Sequence, residues 1–593
     1  MKKTVWALAI ISIFTFHISP FTLKAQTDNT YNESVVVKGS YTPVIEPSEK
    51  LNFPAQITDT LSRIEHTFHY NITPTRLRAM YEPTRIRAAR IVGEPATKLY
   101  NNYLRLGMGN YWSPLADLYW SSTRDRLKTY GVRINHFSSW GKLTRLPEYG
   151  PVQQGNTGVT LFGKYIVGDV LQLSSDLSYE HDHNLYYGFT DNTLQTALGL
   201  TRDNISLADY RASYNIATWN VGIRNMELDA NKLGYTANVR LGDLWTIWNQ
   251  NELNLNLNGE VHYGFNIADK YKGIAYLHAE WDAYRYEMSL DNLPLGRNNT
   301  PLSSNPDYVG NLVQVNPFVV FFFRGLDIHS GVTMGWDAVN NNHNTTFHIF
   351  PDVTVSKKLM KDNLVLSLAA TGGMEANSLN SIRQINPYMM PEISQWGSAS
   401  ATSHYDFIGH ARWTLSKKLE ANAEVSYSLR RNDITFMLSP YYDLDNVYQV
   451  AYNNLNCLTA GGDITFVNDE MITLRAGGHY YHYNFTGLGA VQPAWSMYYR
   501  PDWDALLAAD VNYHNKWFFH LEGQLLGKME ADGGQTLPMR YGVNAEVEYR
   551  HNRALSFFLK MDNLAFQRYW YWANYPSHRA LFLAGLTYTI PHK

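Results

Sequence analysis

One cysteine, Cys457, stands in 593 residues. That excludes an intrachain disulfide and a cysteine-based metal cluster, and Cys457 reads as one strand residue among many. After the N-terminus no stretch approaches eighteen uncharged apolar residues, so no transmembrane helix is expected. Net charge is only −3, which gives no reason to expect nucleic acid as a partner. A Gly-x-Ser-x-Gly elbow is missing. Gly487-Leu488-Gly489 lacks the strand-to-helix setting of a phosphate loop. No convergent Ser, His and Asp set stands out, so no catalytic residue is assigned and the reading is not an enzyme. Neither a redox nor a metal cofactor is implied.

What the chain has is aromatics, 14% of residues with 42 Tyr and 16 Trp, and alternation. Leu419, Ala421, Ala423, Val425, Tyr427 and Leu429 interleave with Glu420, Asn422, Glu424, Ser426, Ser428 and Arg430. A strand sends successive side chains to opposite faces, so one face suits lipid and the other water. Similar segments run through Val170–Tyr179, Leu253–Asn258 and Val543–Arg550. The period is 2, not 3.6, which excludes amphipathic helices. Mean hydropathy is −0.33, as suits a barrel in which half of each strand faces a polar lumen.

Connector lengths alternate too. Short polar turns fall at Val167-Gly168-Asp169, Ser416-Lys417-Lys418, Asn468-Asp469-Glu470, His514-Asn515-Lys516 and His551-Asn552-Arg553, and long connectors near 139–155, 183–203, 293–309, 375–401, 433–452 and 566–577. Outer-membrane barrels have short periplasmic turns and long outer loops. The fold class expected is all-β, a large antiparallel transmembrane β-barrel of about 22 to 24 strands over residues 98–593. Weak segments at 219–250 and 283–292 leave the count open.

The N-terminus differs. Met1-Lys2-Lys3, the apolar run Val5 to Phe16, and Leu23-Lys24-Ala25 before Gln26 read as a signal peptide over residues 1–25. Export without apolar helices points to a Gram-negative outer membrane. Residues 26–97 are rich in Pro, which disfavours helix and central strand. Arg76, Arg78, Arg85, Arg87 and Arg90 make the second half basic. This extended segment lies in the periplasm as a tether or enters the barrel mouth.

Four constellations invite a sharper reading. In a strand His181 and His183 share a face, as a metal fork with Asp182 would need, but no third ligand is identifiable and a polar strand end is the simpler reading. His479 and His482 fall on opposite faces. Tyr569-Trp570-Tyr571-Trp572 is dense enough to stack a sugar or aromatic ligand, though an aromatic girdle or packed loop is favoured. Phe321-Phe322-Phe323 reads as strand, with Arg324 at the membrane boundary.

Both ends of the chain resemble one family. Met561-Asp562-Asn563-Leu564, the aromatic loop, Tyr575-Pro576 and Arg579, then Gly585-Leu586-Thr587-Tyr588-Thr589-Ile590, look like the closing hairpin of TonB-dependent outer-membrane receptors, with Ile590 where that family has Phe. Glu33-Ser34-Val35-Val36-Val37-Lys38-Gly39 resembles the stretch that opens their plug region. The resemblance implies a TonB-box-like segment at Glu33, Val35, Val36 and Val37, and a C-terminal insertion strand marked by Gly585, Leu586, Tyr588 and Ile590. Its implied partners are outer-membrane lipid, TonB or another envelope protein, and the barrel-assembly machinery during insertion. It also implies transport or passage of a solute across the outer membrane. Only about sixty Pro-rich residues separate Ser40 from Leu99, so residues 26–97 would be a plug remnant. The alternative function is a non-conducting scaffold or accessory subunit of an outer-membrane complex.

Overall fold

The computed structural model describes residues 102–589 apart from 123–124, 126, 169, 227–231, 268–270, 289–294, 299–306, 340–345, 391–400, 469–470 and 487–497. The signal-peptide, TonB-box-like and plug-remnant readings, and Ile590, fall outside the described residues.

Period-2 alternation becomes strand throughout. Twenty-two strands form one closed sheet, from β1 (Asn102–Gly109) to β22 (Leu581–Tyr588). Each pairs antiparallel with its neighbour in sequence, and β22 returns to β1 with Leu104 opposite Tyr588 and Gly107 opposite Gly585. Closure leaves no sheet edge, as a wall in lipid requires. No helix among the described residues is long and apolar enough to cross a membrane; the strands do so.

The two faces follow the sequence. On β15 (Leu419–Leu438) Val425 and Tyr427 are exposed on the outer surface. On the same strand Ser428 donates to Asp406 of the neighbouring strand, inside the wall. Tyr130, Tyr165 and Tyr263 ring the outside near the short turns, and Trp140, Trp245 and Trp281 ring it toward the other mouth. These are the two aromatic girdles of an outer-membrane barrel. The short turns at 168–170, 417–418, 469–471, 514–516 and 551–554 and both ends of the described barrel lie at one mouth, the periplasmic one; the long connectors lie at the other, together with the short connectors 110–112 and 247–249.

The segments at 219–250 and 283–292 are largely strand, which settles the count at 22. Two connectors are shorter than their composition indicates. The 139–155 stretch is strand except for 143–150, and the 433–452 stretch is strand except for 439–447. A strand of 20 residues, tilted by roughly 40°, rises about 50 Å against an apolar band of about 25 Å. Its outer end therefore stands clear of lipid. There Asp433, Thr435 and Phe436 are all buried, so alternation fades although the backbone remains strand.

Candidate functional site

The site is the lumen and the loops that cover its outer mouth. The connectors at 186–210, 377–400 and 563–580 leave the wall about a third of its circumference apart. Loops so separated can meet only over the lumen. They do meet. Tyr186 donates its hydroxyl to the Met389 carbonyl at 2.9 Å, and Tyr187 donates to Pro576 at 2.9 Å. The rings of Tyr388 and Tyr575 stack at 3.6 Å. The 439–447 connector joins them: Asn446 donates to the Tyr186 carbonyl at 2.9 Å and accepts on its own carbonyl from Tyr575.

The result is a tyrosine-rich cap with its own apolar core, including Leu185, Phe189, Leu194, Ile382, Met389, Leu444 and Val447. Burial pushes the phenols of Tyr186, Tyr187 and Tyr575 well above 10. They stay protonated and keep donating throughout the physiological range.

Two ion pairs anchor the cap to the inner wall. The short helix α1 (Leu379–Ile385) begins at Ser378, whose hydroxyl accepts from the Ser381 N–H at 3.1 Å. Glu252, on the inner face of the wall, accepts from the N–H groups of Leu379 and of Asn380 (3.1 Å). A carboxylate at a helix N-terminus is favoured by the unpaired N–H groups and the macrodipole. Arg383 on the same helix reaches Asp182 of β5 (Leu171–Leu185) at 2.8 Å and lies over Tyr214. The second anchor is Asp433. A register shift between Arg430 and Asp433 marks a bulge, and bulges re-aim side chains. Asp433 accepts from Arg430 at 3.0 Å and from Arg500, which precedes the strand Trp503–Tyr513.

Below the cap the wall is polar and paired with itself. Asn156 donates to Glu180 at 2.6 Å, Asn254 to Asp282 at 2.7 Å and Asn256 to Glu280 at 2.7 Å. Across the lumen the pairs are histidine with carboxylate: His329–Asp352 at 2.7 Å, His479–Asp504 at 3.1 Å and His520–Asp510 at 2.6 Å. Among the described residues no group of three or more His, Cys, Asp or Glu side chains is placed to hold a metal ion.

The sequence candidates separate accordingly. Asp182 points inward to Arg383, whereas His181 and His183 share the outer face with ring centroids 5.7 Å apart. The fork is split by the wall. His479 faces the lumen and its partner Asp504. In the aromatic loop Tyr569 and Tyr571 share a 3.0 Å hydroxyl contact, and Trp572 packs on Tyr499 at 4.6 Å; the loop is part of the cap. Arg324 occupies the turn after the strand Asp307–Phe323 and lies over Phe323. Gly585 lies on the inner face of β22, where Phe558 covers it; Leu586 and Tyr588 face outward. Sequence reasoning missed Arg383, Glu252, Asp433 and Arg500. Their partners lie far away along the chain, and no local pattern marks them.

No family model and no curated protein matches the sequence. Solved structures do match in fold. The ferric-catecholate import receptor Fiu of Escherichia coli K12 superposes with a TM-score of 0.61 at 11% identity, over 83% of this chain and 82% of that one. The likeness is one of fold. An enterobactin-bound mutant of the ferric enterobactin receptor PfeA from Pseudomonas aeruginosa gives 0.59 at 12% identity, covering 84% and 82%. The siderophore receptor PiuA from Acinetobacter baumannii gives 0.58 at 10%, covering 83% and 82%. These neighbours are receptors rather than enzymes, and a barrel of this fold with two girdles belongs in the outer membrane,.

Proposed function

We propose that the barrel passes a solute across the outer membrane, with the tyrosine-rich cap as its outer gate. The observation that carries this reading is a pair of anchors, Arg383–Asp182 and Arg500–Asp433, tying the cap to the inner wall of a polar lumen. A scaffold would have no use for a cap fastened from within. Selectivity would come from the lumen side chains and access from the loops. The receptor fold of the neighbours supports the same role.

Residues 26–97 are proposed as a plug remnant. Their run of arginines is of the charge that a carboxylate-rich lumen attracts, and the segment at Glu33, Val35, Val36 and Val37 would be offered to TonB. Planar-bilayer recordings of the full chain, of the Arg383→Ala/Arg500→Ala pair and of a deletion of residues 27–97 test both ideas. Passage requires that loosening the cap or removing the segment raises conductance sharply. If all three stay silent while the chain co-purifies stoichiometrically with another envelope protein, the scaffold reading replaces it.

A further inference from the structure

Among the described residues the outer wall carries one carboxylate between its two girdles, that of Asp243. β6 (Arg211–Asn225) pairs with β5 on one side and with β7 (Gly234–Thr246) on the other, in both cases without a register shift. Strand period therefore fixes facing there. Tyr179, Ile223, Tyr235 and Trp245 are exposed on the outer side. His181, Asn215, Ala217 and Asp243 share that side with them.

Heights on the wall can be compared through the pairing. The row of partners His136, Thr157, His181, Asn215 and Trp245 crosses from β3 (Lys128–Lys142) to β7 in four steps. Trp140, four residues farther up β3, stands in the same girdle as Trp245. A row thus climbs by one residue per strand, as a strand tilt of roughly 40° requires. Asp243 lies in the row of Tyr179, two strands on, and so two residues higher. His181 is also two residues above Tyr179. His181 and Asp243 therefore stand at one height, about 12 Å apart, with β6 midway between them.

Each of the two presents a polar atom that its own barrel does not occupy. His181 Nδ1 meets the Asn215 amide oxygen at 2.9 Å, which leaves Nε2. Among the described residues no hydrogen bond or ion pair reaches Asp243; its Oδ1 is turned into the wall and its Oδ2 is not. Both side chains are half-buried rather than enclosed. They are too far apart to meet within one barrel, and lipid tails offer a carboxylate nothing to bond.

An imidazole and a carboxylate at equal height on either side of one strand satisfy a two-fold contact. Two copies inserted in the same sense can share a two-fold axis only along the membrane normal. Such an axis exchanges left and right and keeps height, so residue i meets residue j and j meets i. With the axis on β6, His181 of each copy faces Asp243 of the other. Ala217, beside the axis, is small enough to let the two walls approach.

We infer that the outer wall of β5–β7 is a contact between two copies of this chain, closed by two reciprocal bonds in which His181 Nε2 and the Asp243 carboxylate share a proton. The contact lies outside the lumen and does not depend on what the lumen passes.

The test uses the full chain with Cys457→Ser, so that one introduced cysteine reports. Ala217→Cys should give a disulfide-linked dimer on mild oxidation in native outer membranes. Val425→Cys, exposed on the outer face of β15, should not. Native mass spectrometry of the detergent-purified chain should show the dimer. Asp243→Asn and His181→Gln each remove both reciprocal bonds and should weaken it about tenfold. His181→Asp/Asp243→His exchanges the two groups and should restore it, which a purely local role in the wall would not. Heat-dependent gel mobility shows that each variant is folded. A monomer without the Ala217→Cys cross-link overturns the inference. So does a dimer that both single variants leave undiminished, or a folded exchange variant as weak as the single ones. A cross-link from Ala217→Cys to another envelope protein overturns it too, and assigns the face to that partner.

Discussion

Arg383 shows what one side chain does for the gate. Its side chain is 7% exposed and that of Asp182 17%, so the pair is shielded, and removing one partner strands the other. Such a loss typically costs about 3–5 kcal/mol; partial solvent access brings the estimate here to about 2–3 kcal/mol. Arg383→Ala should therefore speed amide exchange in residues 377–390 while exchange in the lower strands stays unchanged. Unaltered protection of 377–390 would remove Arg383 from the gate. His578 gives the cap a pH dependence. It stacks on Tyr111 at 4.1 Å, and neither ring nitrogen has a hydrogen-bond partner. Burial, and then the charge of Arg568, lowers its pKa from 6.5 to about 4. Between these values the unfolded loop binds more protons than the folded one, so stability falls as pH falls through that window. Protection of residues 563–580 should decline from pH 6.5 to 4, and His578→Phe should flatten the decline. An equally steep decline in the variant would acquit His578.

The seam between β22 and β1 is where a single element decides closure. Phe558 of β21 (Leu555–Asp562) is buried on the inner face, and its ring fills the space left by Gly107 and Gly585. A side chain at 585 would strike the Leu106 carbonyl and that ring. Arg105 lies over the same ring at 4.0 Å and reaches Glu546 at 2.7 Å, binding β1 to strands beyond β22. Gly585→Val should lower the yield of heat-modifiable, folded barrel, and Gly542→Val, where a Cβ meets open space, should not. Equal yields would mean that Gly585 is not needed at the seam. Closing glycines of this kind can be suspected from sequence, because the strand carrying Gly585, Leu586 and Tyr588 has a recognisable form. The wall itself was legible for a physical reason: lipid outside and water inside impose period 2 on every strand they flank. Where the cap buries both faces, as at Asp433–Phe436, that contrast disappears and the sequence reads as loop. The anchors were illegible for a related reason. Arg383 and Asp182 are 201 positions apart, and only the closed ring brings them together.

At the scale of the whole molecule the question is what field the lumen presents. The chain is nearly neutral, at −3, but its charges are sorted by face. Inward positions from β15 to β20 (Arg540–Arg550) hold Glu420, Glu424, Asp463, Asp504, Asp510, Glu522, Glu546 and Glu548, against Arg430, Arg475, Arg540 and Arg550. Arg430 is already paired with Asp433, and Glu546 with Arg105; the rest of the sector keeps a surplus of negative charge. Low-dielectric walls focus such a field along the lumen and raise the local concentration of cations. Loosening the cap with Arg383→Ala/Arg500→Ala should therefore expose a cation-selective path. In a tenfold KCl gradient the reversal potential should carry the sign of potassium. The preference should shrink as ionic strength rises from 0.1 to 1 M, where the screening length falls from about 10 to about 3 Å. Glu548→Gln/Glu522→Gln, which removes two inward charges without touching either anchor, should shift the potential toward zero. A reversal potential of chloride sign in the loosened barrel would mean that the wall carboxylates are neutralised by their neighbours, and the cargo would then have to be sought among neutral or anionic solutes.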